Sequence, residues 1–187
     1  MAELVTPCAG LRSSFLAALL EYHEDGMHLE LDETALAAPG EFARYVAALI
    51  ADIETPGEPD RHAARLCGEG EPKPREGGYV PQTILWWVEA DEYLGRVGIR
   101  HRLTEQLARR GGHIGYEVRP GARRRGHATA MLAAALPIAA SLGIELAHVD
   151  CDADNLASRR IIEKNGGRLE REEGGNLYFL VPTRGMI

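Results

Sequence analysis

The pattern of apolar positions divides the chain into two parts of different character. In the first part, a short apolar segment at 3–6 is followed by apolar residues at helical spacing in 13–24 and 41–53. Spacings of three and four residues are typical of amphipathic helices, so this part predicts an edge strand followed by helices. Residues 55–81 are rich in Pro, Gly and charge, which predicts a long loop.

From residue 83 onward the pattern changes to short runs of β-forming residues, separated by turns and two longer helical stretches. The predicted strands are 83–89, 93–100, 113–118, 144–151, 168–172 and 177–181, and the predicted helices are 124–142 and 155–165. Pro137 should kink or divide the first helix. Trp86 and Trp87 are adjacent on a strand, so we expect one in the core and the other half exposed on the opposite face. The order β-β-β-α-β-α-β-β predicts an α/β (α+β) fold with a mixed sheet covered by helices.

The composition is typical of one globular domain spanning residues 1–187. Hydrophobic residues make up 45% of the chain and charged residues 26%. No apolar run approaches the length of a membrane span, and the first residues lack the features of a signal peptide, so we expect a cytoplasmic protein. The three cysteines, Cys8, Cys67 and Cys151, follow no spacing that predicts a disulfide framework or a metal site.

The net charge of −7 is unevenly distributed. Residues 20–60 contain eleven acidic side chains and one basic one, which gives −10 there and leaves +3 for the rest of the chain. A nucleic-acid-binding protein normally presents a broad basic face, and this chain does not, so we predict no nucleic-acid partner. The local basic cluster after residue 118 stands out against this acidic background.

That cluster is Arg123-Arg124-Arg125-Gly126-His127-Ala128, between a predicted strand and a predicted helix. Cations at a helix N-terminus are unfavourable by about 0.3–1 kcal/mol each, because the helix dipole is positive there. An anion on the free N–H groups would compensate, and a diphosphate is the natural candidate. Gly126 would allow close approach of the backbone to a phosphate. The alternative is a solvated basic helix start with no ligand.

The segment Arg-x-x-Gly-x-Ala, followed by an Ala- and Leu-rich helix, resembles the acetyl-CoA signature of the GNAT acetyltransferase superfamily. A second stretch, 155–167, is similar to the later family helix that faces the pantetheine arm, and the stretch from Tyr79 to that helix resembles a bacterial subgroup of predicted acetyltransferases. The resemblance implies the GNAT fold: a central mixed, mostly antiparallel twisted sheet of about six or seven strands with helices on both faces. Residues 83–181 would form the acetyl-CoA-binding core, and residues 1–80 the acceptor-side helices and a long loop.

The resemblance also implies acetyl-CoA as cosubstrate, with no metal, and assigns residues to its binding. The backbone of Val118 and Arg119 would hold the pantetheine arm, with Asn155 and Ser158 beside it. The pyrophosphate would bind to the N–H groups of Arg124, Arg125, Gly126, His127 and Ala128. The side chains of Arg123 and Arg124 would add charge, and Thr129 would belong to the same coenzyme site.

Acyl transfer to an amine needs a base, an oxyanion donor and, for the leaving thiolate, a proton. His113 and Glu117 are four residues apart on a predicted strand and so face the same way, and we favour Glu117 as the base. A packed histidine and a solvated glutamate are the alternatives. In many relatives a tyrosine acts as the general acid, at the position that matches Ile162 here. Tyr116, Cys151 or a water would then have to donate the proton, unless no acid is needed.

These features together predict an N-acetyltransferase that moves an acetyl group from acetyl-CoA to a primary amine of a small molecule or peptide, by direct attack in a ternary complex. The acidic stretch falls where family members build the acceptor site, which favours a cationic amine; otherwise it is a solvated surface. The resemblance also suggests a homodimer. Two other functions remain open: a non-catalytic acyl-CoA-binding or sensing module, and transfer of a larger acyl or an aminoacyl group.

Overall fold

The computed structural model describes residues 1–51 and 80–184. The predicted loop at 55–81 and Cys67 therefore lie almost entirely outside the described residues. The helices are α1 (Arg12–Glu24), α2 (Glu33–Ala37), α3 (Glu41–Ala51), α4 (Glu105–Arg109), α5 (His127–Ser141) and α6 (Leu156–Lys164). The strands are β1 (Glu3–Val5), β2 (Gln82–Glu89), β3 (Glu92–Arg100), β4 (Ile114–Val118), β5 (Leu146–Asp152), β6 (Arg168–Glu173) and β7 (Asn176–Pro182).

The seven strands form two sheets. One has the order β1-β2-β3-β4 and the other β5-β7-β6, and all five strand pairs in the described residues are antiparallel. Strands β4 and β5 are neighbouring edges, and they meet where the His113 N–H donates to the carbonyl of His148 at 2.7 Å. The predicted fold class is confirmed, with the sheet divided at this point.

Two apolar cores lie on opposite faces of the first sheet. Trp86 packs with the rings of α1 and α3, stacked on Phe15 at 5.2 Å between centroids. Trp87 faces the other core, which α5 and α6 cover. The two tryptophans do face opposite ways, but both are buried, at 0% and 4% exposure. The expectation of one half-exposed tryptophan is wrong, because helices cover both faces of the sheet.

Helix α5 runs through Pro137 without being divided. Proline removes the N–H that would bond to the carbonyl four residues earlier, that of Ala133. Both Pro137 and Ala133 are exposed, so water can bond to the freed carbonyl while the opposite face of the helix stays packed. Gly143, with φ of +84°, follows the end of the helix. Within the described residues, no helix has both the length and the hydrophobicity to cross a membrane.

We expect Gly95→Ala to destabilise the protein by about 1–3 kcal/mol, a typical cost of overpacking. Gly95 pairs with Val118 across β3 and β4, and an added Cβ would collide with the carbonyl oxygen of Glu117. Urea denaturation measures the effect. Gly10→Ala is the matched control, because a Cβ there meets no atom within 4 Å; equal stability of the two variants would contradict the prediction.

Candidate active site

The turn between β4 and α5 ends in a helix start that no side chain caps. Gly126 is the N-cap residue of α5 and has φ of +87°, and Arg124 before it is also left-handed, with φ of +60°. The Gly126 carbonyl accepts from the Ala130 N–H at 3.1 Å. Three earlier N–H groups find no acceptor among the described residues, those of His127, Ala128 and Thr129. A helix start with free N–H groups is a binding site for an anion.

The side chain of His127 points into the protein, away from the free N–H groups at the start of α5. Its Nδ1 accepts a hydrogen bond from Trp87 Nε1 at 3.2 Å, and its Nε2 is buried without a partner in the described residues. His127 therefore anchors the first turn of α5 to the core, while its backbone N–H faces outward. The Thr129 carbonyl similarly accepts from Asn165 Nδ2 at 3.2 Å, which ties α5 to α6.

The arginines of the turn divide into two groups. Arg124 and Arg125 are exposed and form no ion pair with any described residue. Arg123 instead donates from Nε to the Val118 carbonyl at 3.1 Å and from Nη1 to Asp25 at 2.5 Å. Arg124 and Arg125 are therefore the cations available to an anion at the helix start, and Arg123 holds the turn.

Helix α1 also binds the same turn through Glu21. Glu21 accepts from Nε and Nη2 of Arg119, and its second oxygen accepts from the Gly121 N–H at 2.8 Å. The hydrogen bond from Arg119 holds the pKa of Glu21 below its usual value. Arg119 is buried, at 9% exposure, and also pairs with Glu92. The side chain of Arg119 therefore binds Glu21 and Glu92 within the protein.

Strand β4 leaves one backbone edge open. The Arg119 N–H donates to β3 at 2.9 Å and the His113 carbonyl accepts from β3 at 2.8 Å. In an antiparallel ladder, alternate residues bond to the same neighbour. The backbone groups of Tyr116 and Val118 consequently point away from β3, toward the gap beside β5. The Arg119 N–H, predicted to hold a pantetheine arm, is already used in the ladder, whereas the Val118 N–H lies on the open edge.

Tyr116 faces the N-terminus of α6. Its hydroxyl lies 3.0 Å from Ser158 Oγ, and burial raises its pKa to about 12. Asn155 caps α6, because its Oδ1 accepts from the Ser158 N–H at 3.0 Å. Tyr116 thus stays protonated at neutral pH and can donate a proton. Ile162, farther along α6, is completely buried in the core.

Glu117 faces the opposite side of the sheet and meets two basic groups. His28 Nε2 lies 2.8 and 2.9 Å from its oxygens, and Arg96 Nε lies 2.6 Å from Oε1. Burial raises the pKa of Glu117, but the bond from His28 and the charge of Arg96 outweigh it, so the pKa lies below its usual value. The bond to Glu117 conversely raises the pKa of His28. Both shifts favour the charged forms, as in an ion pair.

His28 and Arg96 were missed by the sequence interpretation. His28 lies between α1 and α2 with φ of +54°, a conformation that costs a non-glycine residue about 1–3 kcal/mol and often marks functional sites. Arg96 is the one charged residue between Tyr93 and Ile99 of strand β3, and that charge was the available signal in the sequence. No pattern in the sequence indicated that His28 would meet β4.

His113 lies just before β4 and has different neighbours from Glu117. Its Nδ1 accepts from the His148 N–H at 3.0 Å, so it joins the two sheets. Burial lowers the pKa of His113 to about 4, which keeps the ring neutral at pH 7. His113 and Glu117 therefore do not form one cluster: the contacts of His113 are with β5, and those of Glu117 are with His28 and Arg96. In residues 1–51 and 80–184, no group of three or more His, Cys, Asp or Glu side chains could hold a metal ion.

Comparison with known proteins gives a family and a fold. A family model described as an acetyltransferase (GNAT) domain matches residues 23–168. Mycobacterium smegmatis RimJ in complex with CoA-disulfide aligns with a TM-score of 0.62 and 18% identity, over 97% of this chain and 81% of that one. The microcin C7 self-immunity acetyltransferase MccE, in complex with acetyl-CoA and AMP, aligns with a TM-score of 0.60 and 11% identity, over 97% and 92%.

A third structure, the Campylobacter jejuni N-acetyltransferase PseH in complex with acetyl coenzyme A, gives a TM-score of 0.53 and 10% identity, over 97% of this chain and 99% of that one. No curated protein matches the sequence. At these identities the structural likeness shows the fold, and the family model shows the family predicted from the sequence.

We expect Glu21→Gln to destabilise the protein by about 1–3 kcal/mol near neutral pH, because charge-assisted bonds from Arg119 are lost. The pKa of Glu21 is lowered in the folded chain, so the stabilisation is complete above the unfolded value of 4.5. It is lost as the pH falls through the lower, folded pKa. Urea denaturation at several pH values should therefore show the gap between wild type and Glu21→Gln closing in acid.

The control for this prediction is Glu24→Gln, one turn farther along α1. Glu24 is exposed and has no partner among the described residues, so its replacement should change stability by less than about 0.5 kcal/mol. A loss in Glu21→Gln that is the same in acid as at neutral pH would contradict this role of Glu21.

Proposed function

The chain belongs to the GNAT acetyltransferase family, and we propose that it is an N-acetyltransferase that moves the acetyl group of acetyl-CoA to a primary amine of a small molecule or peptide. The amine attacks directly in a ternary complex, so the N–C bond forms as the C–S bond of the thioester breaks. The observation that carries this proposal is the uncapped start of α5 beside the open edge of β4.

The groups at this place fit coenzyme A. The unpaired N–H groups of His127, Ala128 and Thr129 suit a pyrophosphate, and the exposed guanidinium groups of Arg124 and Arg125 add positive charge. The open backbone groups of Tyr116 suit an amide group of a pantetheine arm, since an extended chain can pair with a free strand edge.

We assign the base to Glu117 together with His28. A carboxylate whose pKa is lowered is a weak base alone, and His28, with a pKa above its ordinary 6.5, is better matched to a proton taken up near neutral pH. The two groups are in direct contact, so they take up one proton as a coupled pair. This assignment replaces His113, which is neutral and engaged in joining the sheets.

We assign the acid to Tyr116. Its protonated hydroxyl, next to Ser158, gives a proton to the leaving thiolate, and the Val118 N–H on the open edge stabilises the oxyanion. Ile162 occupies the position of the family tyrosine and has no proton to give. Tyr116, on strand β4, lies on the same side of the sheet as Ile162.

A cationic acceptor agrees with the charges that remain free near α1 and α2. Glu21 and Asp25 are neutralised by Arg119 and Arg123, but Glu24 and Asp32 are exposed, and further acidic residues at 52–60 lie outside the described residues. Surplus negative charge raises the local concentration of a cationic amine. The acceptor-side role of residues 1–80, the homodimer and the cytoplasmic location stay predictions of the sequence.

The alternative of a non-catalytic acyl-CoA-binding module shares the same helix start. The absence of a tyrosine at Ile162 favours it, whereas the Glu117–His28 pair favours catalysis. Mixing the protein with acetyl-CoA and a panel of amines, and following thiol release, separates them. Tight coenzyme binding without thiol release from any amine would favour the module, and faster release from longer acyl-CoAs would favour a larger acyl donor.

We expect Gly126→Glu to weaken coenzyme A binding at least about tenfold, because it places a negative charge where the pyrophosphate binds and strains a left-handed residue. Isothermal titration calorimetry measures the affinity. Gly143→Glu is the matched control, since Gly143 has φ of +84° and lies at the other end of α5. Equal affinity of the two variants would mean that the pyrophosphate does not bind at the start of α5.

For the base, we expect kcat/KM of the wild type to fall as the pH drops through a value above 6.5, where His28 becomes protonated. In His28→Gln this acidic limb should move to lower pH, because only the carboxylate is left to titrate, and the rate near neutral pH should fall about 10–100-fold. His101→Gln is the control, since His101 contacts Thr83 instead. An unshifted acidic limb in His28→Gln would exclude His28 from the proton transfer.

A further inference from the structure

Gly115 lies within strand β4 at a position where the fold does not require glycine. Its φ lies outside the left-handed region, and an added Cβ would meet no atom of residues 1–51 and 80–184 within 4 Å. At Gly95, by contrast, an added Cβ would collide with the carbonyl oxygen of Glu117. Glycine weakens the interior of a strand, because it has no side chain to pack and loses much conformational freedom on folding. Gly115 therefore points to a need for empty space at this position.

The space above Gly115 lies on the same face of the sheet as Glu117. The two residues alternate with Tyr116 along β4, so Glu117 follows on that face at roughly 7 Å. The partner of Gly115 on β3 is Gly98, so two adjacent strands present backbone without side chains here. We call these two residues the glycine pair. Gly115 is exposed and Gly98 is half-buried, and the glycine pair is thus an open surface directly beside Glu117.

The other sides of Glu117 are closed by residues that the structure describes. Farther along the chain on the same face, Arg119 is buried and bound to Glu21 of α1. Two strands away, Trp86 is completely buried beneath α1 and α3. The side chains of Glu117 and His28 nevertheless keep 18% and 12% exposure. The glycine pair is therefore the open side of the proposed base.

We propose that the acceptor approaches over the glycine pair, and that Gly115 determines specificity by leaving room for substituents on the carbon atom that carries the amine. This inference rests on the proposed function, in which Glu117 and His28 take up the proton and the thioester lies at the open edge of β4 beside Tyr116. An unbranched amine needs little space beside its nitrogen, whereas an amine on a branched carbon needs the space that a side chain at position 115 would fill. The acceptor class is therefore a primary amine on a branched carbon.

The test compares two isomeric amines, sec-butylamine and n-butylamine, in the wild type, Gly115→Ala and Gly115→Val. The readout is thiol release from acetyl-CoA. We expect the ratio of kcat/KM for sec-butylamine to kcat/KM for n-butylamine to fall about tenfold in Gly115→Ala, since one methyl-sized group discriminates substrates about 10–200-fold. The ratio should fall further in Gly115→Val, because the larger side chain fills more of the space.

Two further measurements exclude a merely structural effect. Both variants should melt no lower than the wild type, because the added side chain meets open space and valine is favoured in strands. Their affinity for coenzyme A, measured by isothermal titration calorimetry, should be unchanged, since position 115 faces the side of the sheet opposite to Tyr116. Gly10→Val is the control and should leave the ratio unchanged; a Cβ at Gly10 also meets no described atom within 4 Å.

The outcomes separate this inference from the proposed function. An unchanged ratio in Gly115→Val would overturn the inference, while the N-acetyltransferase function stands. Weaker coenzyme binding or a lower melting temperature in Gly115→Val would also overturn it, because position 115 would then serve the coenzyme or the fold. Thiol release from other amines but not from sec-butylamine in the wild type would overturn this inference alone. The absence of thiol release with any amine would overturn both proposals.

Discussion

The alternation of side chains along β4 is the constraint on which the candidate site depends. In only five residues, this strand sends Glu117 toward the core beneath α1 and Tyr116 toward α6. The same alternation pairs every second backbone group with β3 and leaves those between on the edge beside β5. A shift of register by one residue would exchange the two faces, so a single strand pairing sets the positions of the proposed base, the proposed acid and the open edge.

Charge compensation between the two parts of the chain explains how a basic turn persists in an acidic protein. Glu21 and Asp25 of the acidic stretch bind Arg119 and Arg123 of the turn. These pairs fix the turn against α1, so helix positions that look like acidic surface in the sequence carry a structural role. Arg124 and Arg125 are left exposed, where a helix dipole alone would not favour them. The turn is therefore held in place and is still positive on its outer side.

Local sequence patterns predicted most helices and strands. The residues that were missed depend on contacts between positions far apart in the sequence. The fold class is confirmed, and so is the order of strands and helices after residue 83 except for the short helix α4, because apolar periodicity and the turn residues are local signals. The turn at Gly126 was recognised for the same reason. His28 meets Glu117 across 89 positions, and no local pattern encodes such a contact. His113 was paired with Glu117 from strand alternation alone, but β4 begins only at Ile114, and the ring turns to β5.

The burial of Ile162 bears on where an acid can lie. At 0% exposure it fills the core between α5, α6 and the second sheet, and a tyrosine there would need space that close packing does not provide. Tyr116 approaches the same region from the strand, and its hydroxyl is paired with Ser158 instead of a charged group. Burial then raises its pKa to about 12, so the hydroxyl keeps its proton near neutral pH. In the proposed mechanism, the proton donor is therefore on strand β4 and not on helix α6.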